Sequence, residues 1–283
     1  MTNAPQIDDW NGATGARWVD NQERLDRILA PYGDAALAAA AARPGEAVLD
    51  IGCGAGVTTL ALAAGVQPGG RIVGVDISEP LIVRARERAA AAALPIDFRL
   101  EDAGRAALPD AAFDLLFSRF GVMFFDAPTE AFRHMRAALK PGGRLAFICW
   151  RSAAENDWAK LPIAALRGIV PIPESNPEAP GPYAFGNRAR LQGILEDAGF
   201  IDIEIQPFDA PLIYGIGADR EAALDDALDY LTQIGPVPRL LADKPTDMRE
   251  KAMAAVRAAL ESRLGDDGVV IDGAAWVVTG CNP

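Results

Sequence analysis

From Glu46 onward the chain alternates short apolar runs with longer stretches in which apolar residues recur every three or four positions: EAVLDIG, VTTLALAAGV, RIVGVDIS and PLIVRARERAAAAAL. Short runs bounded by glycine suit strands and the longer period suits helices, so this segment predicts strand, helix, strand, helix. IDFRLEDA, FDLLFSRF and GRLAFICW continue as strands, with a helix over TEAFRHMRAAL that Pro141 and Gly142 are expected to stop. The strands are apolar on both sides rather than alternating. Both faces of the sheet must therefore be covered, which predicts a doubly wound α/β core.

Past Trp150 the rhythm changes. LRGIVPIPESNPEAPGPYAFGN is so rich in proline that neither a long helix nor a central strand fits it, which predicts a loop or lid. RARLQGILEDAGF resumes a helix ended by Gly199, IDIEIQPF alternates like a half-exposed strand, and AAWVVTG reads as another strand. Between those two strands, Leu224, Ala227, Leu228, Leu231 and Ile234 form one helical stripe and DMREKAMAAVRAALESRL a second. Upstream, the alanine-rich tract from Ala35 to Ala42 predicts a packed helix ahead of the first strand. The expected organisation is an N-terminal cap segment over residues 1–32 and a core over 33–151. A proline-rich lid follows over 152–186, and the rest of the core over 187–283 carries a helical insertion at about 212–270.

Half of the 283 residues are hydrophobic, enough for a full core, and the formal charge is -12. Arg84, Arg86 and Arg88 share a helix with Glu79 and Glu87 and read as a solvated face, so neither nucleic acid nor an anionic membrane surface is an expected partner. No apolar run is long enough to span a bilayer, and MTNAPQIDDWNG lacks the basic start and apolar stretch of a signal peptide. A cytoplasmic protein is expected. Cys53, Cys149 and Cys281 show no CxxC spacing, which argues against a disulfide framework and a zinc site; no metal is expected.

The densest chemical signal is VLDIGCGAGVTTL, from Val48 to Leu60. A strand ending at Ile51 delivers a loop, Gly52 to Gly56, that opens a helix near Val57, and ligands of open α/β sheets sit outside such strand ends. Glycines there admit unusual dihedrals and let a ligand approach the backbone. Val57 stands where a GxGxxG fingerprint needs its third glycine, which disfavours a nicotinamide cofactor, and no GxxxxGK[ST] is present. Twenty residues past Gly56, Asp76 ends RIVGVD. A carboxylate there suits the two hydroxyls of a ribose or, alternatively, the start of the next helix together with Ser78.

In this order and spacing, VLDIGCGAG, GVDIS, EDA, FDLLFSRFGVMFF and ALKPGGRLAF resemble the class I S-adenosylmethionine-dependent methyltransferases. The similarity is greatest to the small-molecule branch that includes the ubiquinone and menaquinone biosynthesis methyltransferases, over residues 33 to 150 and more weakly over the last two strands. The resemblance implies a Rossmann-like, doubly wound, seven-stranded mixed sheet whose helical and proline-rich insertions form a substrate cap. It implies S-adenosylmethionine as cofactor and S-adenosylhomocysteine as product. Residue by residue, it implies that the backbone of Gly52, Cys53 and Gly54 approaches the methionine part and the ribose, with Asp50 near the ammonium group. Asp76 would hold the ribose hydroxyls, Ile77 the adenine face, Asp102 the adenine amino group and Ala103 a backbone donor beside it. Ser118 would offer its carbonyl oxygen under the ammonium, and Arg119 and Phe120 would follow where donor and acceptor meet.

A sulfonium is an activated methyl donor, so alignment of the acceptor and exclusion of water are the main tasks, and no GxSxG or HExxH is present. His134, Asp126 and Tyr214 are weak candidates for a proton acceptor, each with a structural reading beside it. Phe120, Met123, Phe124, Trp150, Arg151 and Tyr183 are expected to line the pocket of a small, partly hydrophobic acceptor methylated on O, N or C. Arg151 would pair with an acidic group of that acceptor or with a surface acid. Trp10 and Trp18 would cover the cofactor as an aromatic lid, or else form part of a helix packed on the core. Two other function classes stay in view: an NAD(P)-dependent oxidoreductase, and a regulatory protein that binds the cofactor without turnover.

Overall fold

The structure is a computed structural model that describes residues 4–174 and 176–283. Four helices, α1 (Ala4–Asn11), α2 (Ala13–Asp20), α3 (Gln22–Ile28) and α4 (Ala30–Ala40), precede β1 (Ala47–Ile51). There follow α5 (Val57–Gly65), β2 (Arg71–Asp76), α6 (Glu79–Ala91), β3 (Ile96–Leu100), β4 (Phe113–Arg119), α7 (Pro128–Ala137) and β5 (Leu139–Trp150). The second half adds α8 (Asp157–Leu166), α9 (Arg188–Asp197), β6 (Ile201–Gly215), α10 (Arg220–Gln233), α11 (Pro236–Leu241), α12 (Thr246–Glu261), β7 (Leu264–Gly265) and β8 (Gly268–Cys281).

The strands form one mixed sheet in the order β3-β2-β1-β4-β5-β8-β6, with the two-residue β7 beside β8 off that path. β1 to β5 run parallel, and β8 lies antiparallel between β5 and β6. All five residues of β1 are buried, which is why its sequence shows no alternation. Order reverses at β1: the chain passes outward to β2 and β3, then returns to β4 on the other side. This switch point sets the crevice for a ligand at the β1 and β4 tips.

Three departures from the sequence reading have local causes. α7 ends at Ala137 and β5 begins at Leu139, so Pro141 and Gly142 lie in a bulge inside the strand, held by Asn282, whose carbonyl accepts from the Gly142 amide. β6 runs to Gly215, through Pro207 and Pro211, because it is the sheet's edge and a proline there leaves no ladder bond unmade on the solvent side. α8 forms across Pro162, in a region expected to be loop. The rest of the proline-rich stretch carries no helix or strand over its described residues up to Asn187.

α10, α11 and α12 are inserted between β6 and β8 and pack with α8 over that edge of the sheet. Asn156 fixes the start of α8 to β8: its Oδ1 accepts from the Ala274 amide at 2.8 Å and its Nδ2 donates to the Ala274 carbonyl at 3.0 Å. α4 buries Tyr32, Gly33, Ala36 and Ala40 against the centre of the sheet.

Candidate active site at the strand tips

The three glycines after β1 do three different things. A Cβ on Gly52, whose φ is +63°, would stand 2.6 Å from Gly121 Cα, so this glycine exists because the loop after β4 crosses it. Gly56 is closed in by Phe98 and Ala85. At Gly54, with φ at +54°, a Cβ would meet nothing within 4 Å, so this is the loop position open to a ligand. Cys53 departs from its expected role: its thiol turns away into a small cluster with Ile82, Ala85, Ala89 and Phe98, and its amide is taken by the Val75 carbonyl.

Asp76 is drawn into the loop. Its Oδ2 accepts from the Gly54 amide at 2.8 Å and its Oδ1 from the Ser78 amide at 2.9 Å. One carboxylate thus organises both the glycine loop and the entry to α6, and the two sequence readings of Asp76 are compatible. Burial raises its pKa despite these amide bonds. Next door, just past the end of β3, Asp102 Oδ1 accepts from the Gly104 amide at 3.0 Å, Ala103 is buried, and Glu101 Oε2 is buried with no hydrogen-bond partner. Glu101 was not singled out by the sequence, since EDA offers two acids and only packing separates them.

Asp50 is fully buried at the end of β1. Thr59 donates to its Oδ2 at 2.6 Å and Thr58 approaches the same oxygen at 3.4 Å, while Oδ1 has no partner. Burial pushes its pKa up to about 7, against the hydroxyls and the positive charge of Arg119. An acid followed eight and nine residues later by hydroxyls in a helix's first turn is a signal the sequence held. At the β4 tip, Ser118 Oγ donates to the Ile51 carbonyl at 2.7 Å and accepts from the Gly121 amide at 3.1 Å, locking β1 to β4. Arg119 is half-buried beside them.

Over these tips lies the N-terminal segment. The Trp10 carbonyl accepts from Ser78 Oγ at 2.8 Å, Asn11 Nδ2 donates to the Ile77 carbonyl at 2.8 Å, and Asn11 Oδ1 accepts from the Glu79 amide at 2.9 Å. The Trp10 ring meets Trp18 edge-on at 5.2 Å and Phe124 at 5.6 Å. Because β1 lies between β2 and β4, a segment that touches Ser78 on one side and Phe124 on the other bridges the glycine loop. Asn11, which latches it, carried no distinguishing signal in the sequence.

A second aromatic group continues from β4 toward the insertion. Phe120 stacks on Trp150 at 4.1 Å and 15°, Trp150 meets Tyr32 and Trp158, Trp158 stacks on Tyr183, and Tyr32 meets Phe208. Phe120 holds this position at a φ of +62°, a left-handed conformation that costs a side-chain-bearing residue about 1–2 kcal/mol. Of the other expected pocket residues, Phe124 belongs with Trp10, and Met123 is shut beneath Trp150, whose amide donates to its sulfur at 3.3 Å.

The remaining expected residues have the following surroundings. Arg151 pairs with Glu155 and with Asp209 and lies over the Trp276 ring, so the surface-acid reading holds. Tyr214 is buried against Tyr230 at 4.8 Å, and burial raises its pKa well above the usual phenol value, which makes it unfit to take a proton near neutrality. His134 lies on α7 with Nε2 2.8 Å from the Ala106 carbonyl, where it must donate rather than accept. Asp126 is exposed at the approach to α7. A cleft of about 880 Å³ lies elsewhere, between α3 and α10, and its Arg24 is paired with Asp226 and Asp229.

A family model described as a methyltransferase domain matches residues 48–143, the segment that carries the glycine loop and the tips of β1 to β4. Residues 48–143 thus match a methyltransferase domain, set within the parallel half of the mixed sheet. It is similar to nocamycin O-methyltransferase of Saccharothrix syringae, 31% identical over 172 residues that cover 57% of this chain and 61% of that protein. To demethylmenaquinone methyltransferase of Symbiobacterium thermophilum it is 38% identical over 109 residues, covering 38% of this chain and 43% of that one. The chain therefore spans less than two thirds of the length of these relatives. In fold it matches the YcgJ protein of Bacillus subtilis with a TM-score of 0.59 at 17% identity, over 89% of this chain and 98% of that one.

S-adenosylmethionine is the cofactor of such methyltransferase domains, and the residues here fit it. The unpartnered Asp50 Oδ1 suits an ammonium, the open face of Gly54 suits close backbone approach, and acids at three successive tips suit a cationic ligand with a ribose. No phosphate cradle is needed.

Proposed function

We propose that this chain transfers a methyl group from S-adenosylmethionine to a small, partly hydrophobic acceptor, on O, N or C. The observation that carries the reading is the buried, unpartnered Asp50 Oδ1 beside the open face of Gly54. A buried acceptor without a partner is costly, and a cationic ligand group that completes it accounts for its presence. The cofactor supplies, when bound, a methyl group already activated on a sulfonium.

What remains for the chain is binding, orientation and exclusion of water. In this reading Asp76 holds the ribose hydroxyls with Ile77 against the adenine, Asp102 and Ala103 serve its amino edge, and the Ser118 carbonyl helps Asp50 with the ammonium. Trp10 and Trp18, in the cap over residues 1–32, shield the methyl donor. Phe120, Trp150, Trp158 and Tyr183 form the wall against which the acceptor is aligned, with the lid over 152–186 and the inserted helices closing it. That wall is apolar and aromatic, which supports a partly hydrophobic acceptor. The relatives' names include an O-methyltransferase and a demethylmenaquinone methyltransferase, which support a small-molecule acceptor without choosing the atom. Among the described residues no helix is long and apolar enough to cross a membrane.

The test is turnover of methyl-labelled S-adenosylmethionine against a panel of small metabolites, with calorimetric titration of S-adenosylhomocysteine alongside. Label transfer to one acceptor class is expected, with micromolar-range binding of the product. Absence of binding at millimolar concentration overturns the reading; binding with no transfer to any acceptor leaves a cofactor-binding protein without turnover.

A further inference from the structure

Arg119 closes β4, where its Cα is paired with Ile148 of β5. Asp50 is in register with Phe117, and side chains two apart on a strand share a face, so Asp50 and Arg119 lie on the same face of the sheet at neighbouring tips. The stem of Arg119 passes beneath α4 at the first turn of α5: a Cβ on Gly33 would stand 3.6 Å from Arg119 Cδ and 3.7 Å from Thr58 Cγ2. Thr58 is also the residue that approaches Asp50. Two opposite charges thus share one small space walled by α4 and α5.

Neither is joined to the other, and each keeps hydrogen-bonding capacity that no neighbouring side chain takes up. Asp50 Oδ1 accepts nothing. Among the described residues no hydrogen bond or ion pair engages the Arg119 guanidinium, and none joins Arg119 to Asp50. Asp26, whose charge also acts on Arg119, is already bound by Arg88 at 2.8 Å and by Gln22 at 2.5 Å. Burial lowers the arginine's pKa, with Asp26 and Asp50 opposing that shift. Surface arginines of this chain readily find acids, as Arg257 does with Glu221 and Asp225. A half-buried guanidinium and a buried carboxylate oxygen of opposite charge are thus held on one face of the sheet by separate strands.

We infer that Arg119 and Asp50 form a two-pole receptor for the zwitterionic amino-acid end of the cofactor, Arg119 taking its carboxylate and Asp50 its ammonium. The assignment rests on the methyltransferase reading and deepens it. A ligand with both groups on one carbon satisfies both poles at once; one lacking either leaves a buried charge unpaired. Arginine suits this pole because its planar fork meets a carboxylate through two parallel hydrogen bonds, which a lysine cannot reproduce. The site would therefore discriminate against 5′-methylthioadenosine, which has the adenosine and thioether and no amino-acid end.

The experiment is calorimetric titration of the full chain and of Arg119→Gln, Arg119→Lys and Asp50→Asn with three ligands. These are S-adenosylhomocysteine, its decarboxylated analogue S-adenosyl-3-thiopropylamine, and 5′-methylthioadenosine. The unsubstituted chain is expected to bind S-adenosylhomocysteine at least 10-fold more tightly than either analogue. Arg119→Gln is expected to lose about 10- to 100-fold for S-adenosylhomocysteine and to bind it no better than the decarboxylated analogue, with 5′-methylthioadenosine unchanged. Arg119→Lys should recover only part of that loss. Undiminished S-adenosylhomocysteine affinity in Arg119→Gln overturns the inference and frees Arg119 for an anionic acceptor. Equal weakening of all three ligands also overturns it, because that is the mark of a merely structural residue. If the unsubstituted chain binds 5′-methylthioadenosine as well as S-adenosylhomocysteine, the receptor fails while the cofactor site stands; if it binds none of the three, the methyltransferase reading falls with it.

Discussion

The carboxylate of Asp76 holds the amide of Gly54 at 2.8 Å, so the acid that ends β2 shapes the loop that leaves β1. Asp76→Ala removes two amide acceptors together with the proposed ribose acceptor, each charge-assisted bond being worth about 1.5–3 kcal/mol. S-adenosylhomocysteine affinity is expected to fall at least 10-fold by calorimetry, with a fold still intact by circular dichroism. Unchanged affinity removes Asp76 from the site.

Gly52 and Gly54 should respond in opposite ways to a side chain. Gly52→Ala drives a Cβ to within 2.6 Å of Gly121 Cα, backbone against backbone, and should destabilise the fold by about 1–3 kcal/mol or more. Gly54→Val meets open space, so it should cost only the left-handed strain of about 1–2 kcal/mol while blocking the ligand. Thermal unfolding and ligand titration on both variants separate the two roles; similar losses of stability and of binding in the pair would contradict this division.

The pKa of Asp50, about 7 in the folded protein against 3.8 ordinarily, gives a pH dependence of definite sign. The folded state binds this proton more tightly than the unfolded chain. The associated stability is complete below about pH 4 and is lost as pH rises through about 7. Asp50→Asn should flatten this part of the stability profile. In the unsubstituted chain an ammonium beside Oδ1 favours the ionised form, so S-adenosylhomocysteine affinity should climb by up to ~10-fold per pH unit below pH 7, then level. Titrations in buffers of different ionisation heat will show the released proton.

Asn11 makes two of the bonds that tie the N-terminal segment to the β2–α6 turn. If this segment covers the cofactor, Asn11→Ala should raise the dissociation rate of S-adenosylhomocysteine several-fold, measured by stopped-flow tryptophan fluorescence, with a smaller change in association rate. An unaltered dissociation rate would assign Trp10 and Trp18 to core packing alone.

The donor half of this fold was legible because its signals are local. Val48 to Ile51 is an apolar run closed by glycines, and the boundaries of β1, β2 and α5 follow directly from sequence. What the sequence hid depends on distant partners. Gly52 looks like a ligand-contact glycine until Gly121 arrives from β4, and Arg151 looks available until Asp209 of β6 takes it. Pro207 and Pro211 lie on an edge strand and Pro162 inside α8, and the length of both elements is set by the neighbours they pack on. The solitude of Asp50 Oδ1 and of Glu101 Oε2 is likewise a property of packing, which no spacing encodes.

The helices between β6 and β8 leave and rejoin the sheet at its antiparallel margin, so no rung of the β1–β4 ladder depends on them. Mutation can lengthen, shorten or replace that excursion without unsettling the half that carries the glycine loop. Chemical taste and methyl supply can thus diverge at separate tempos within one polypeptide.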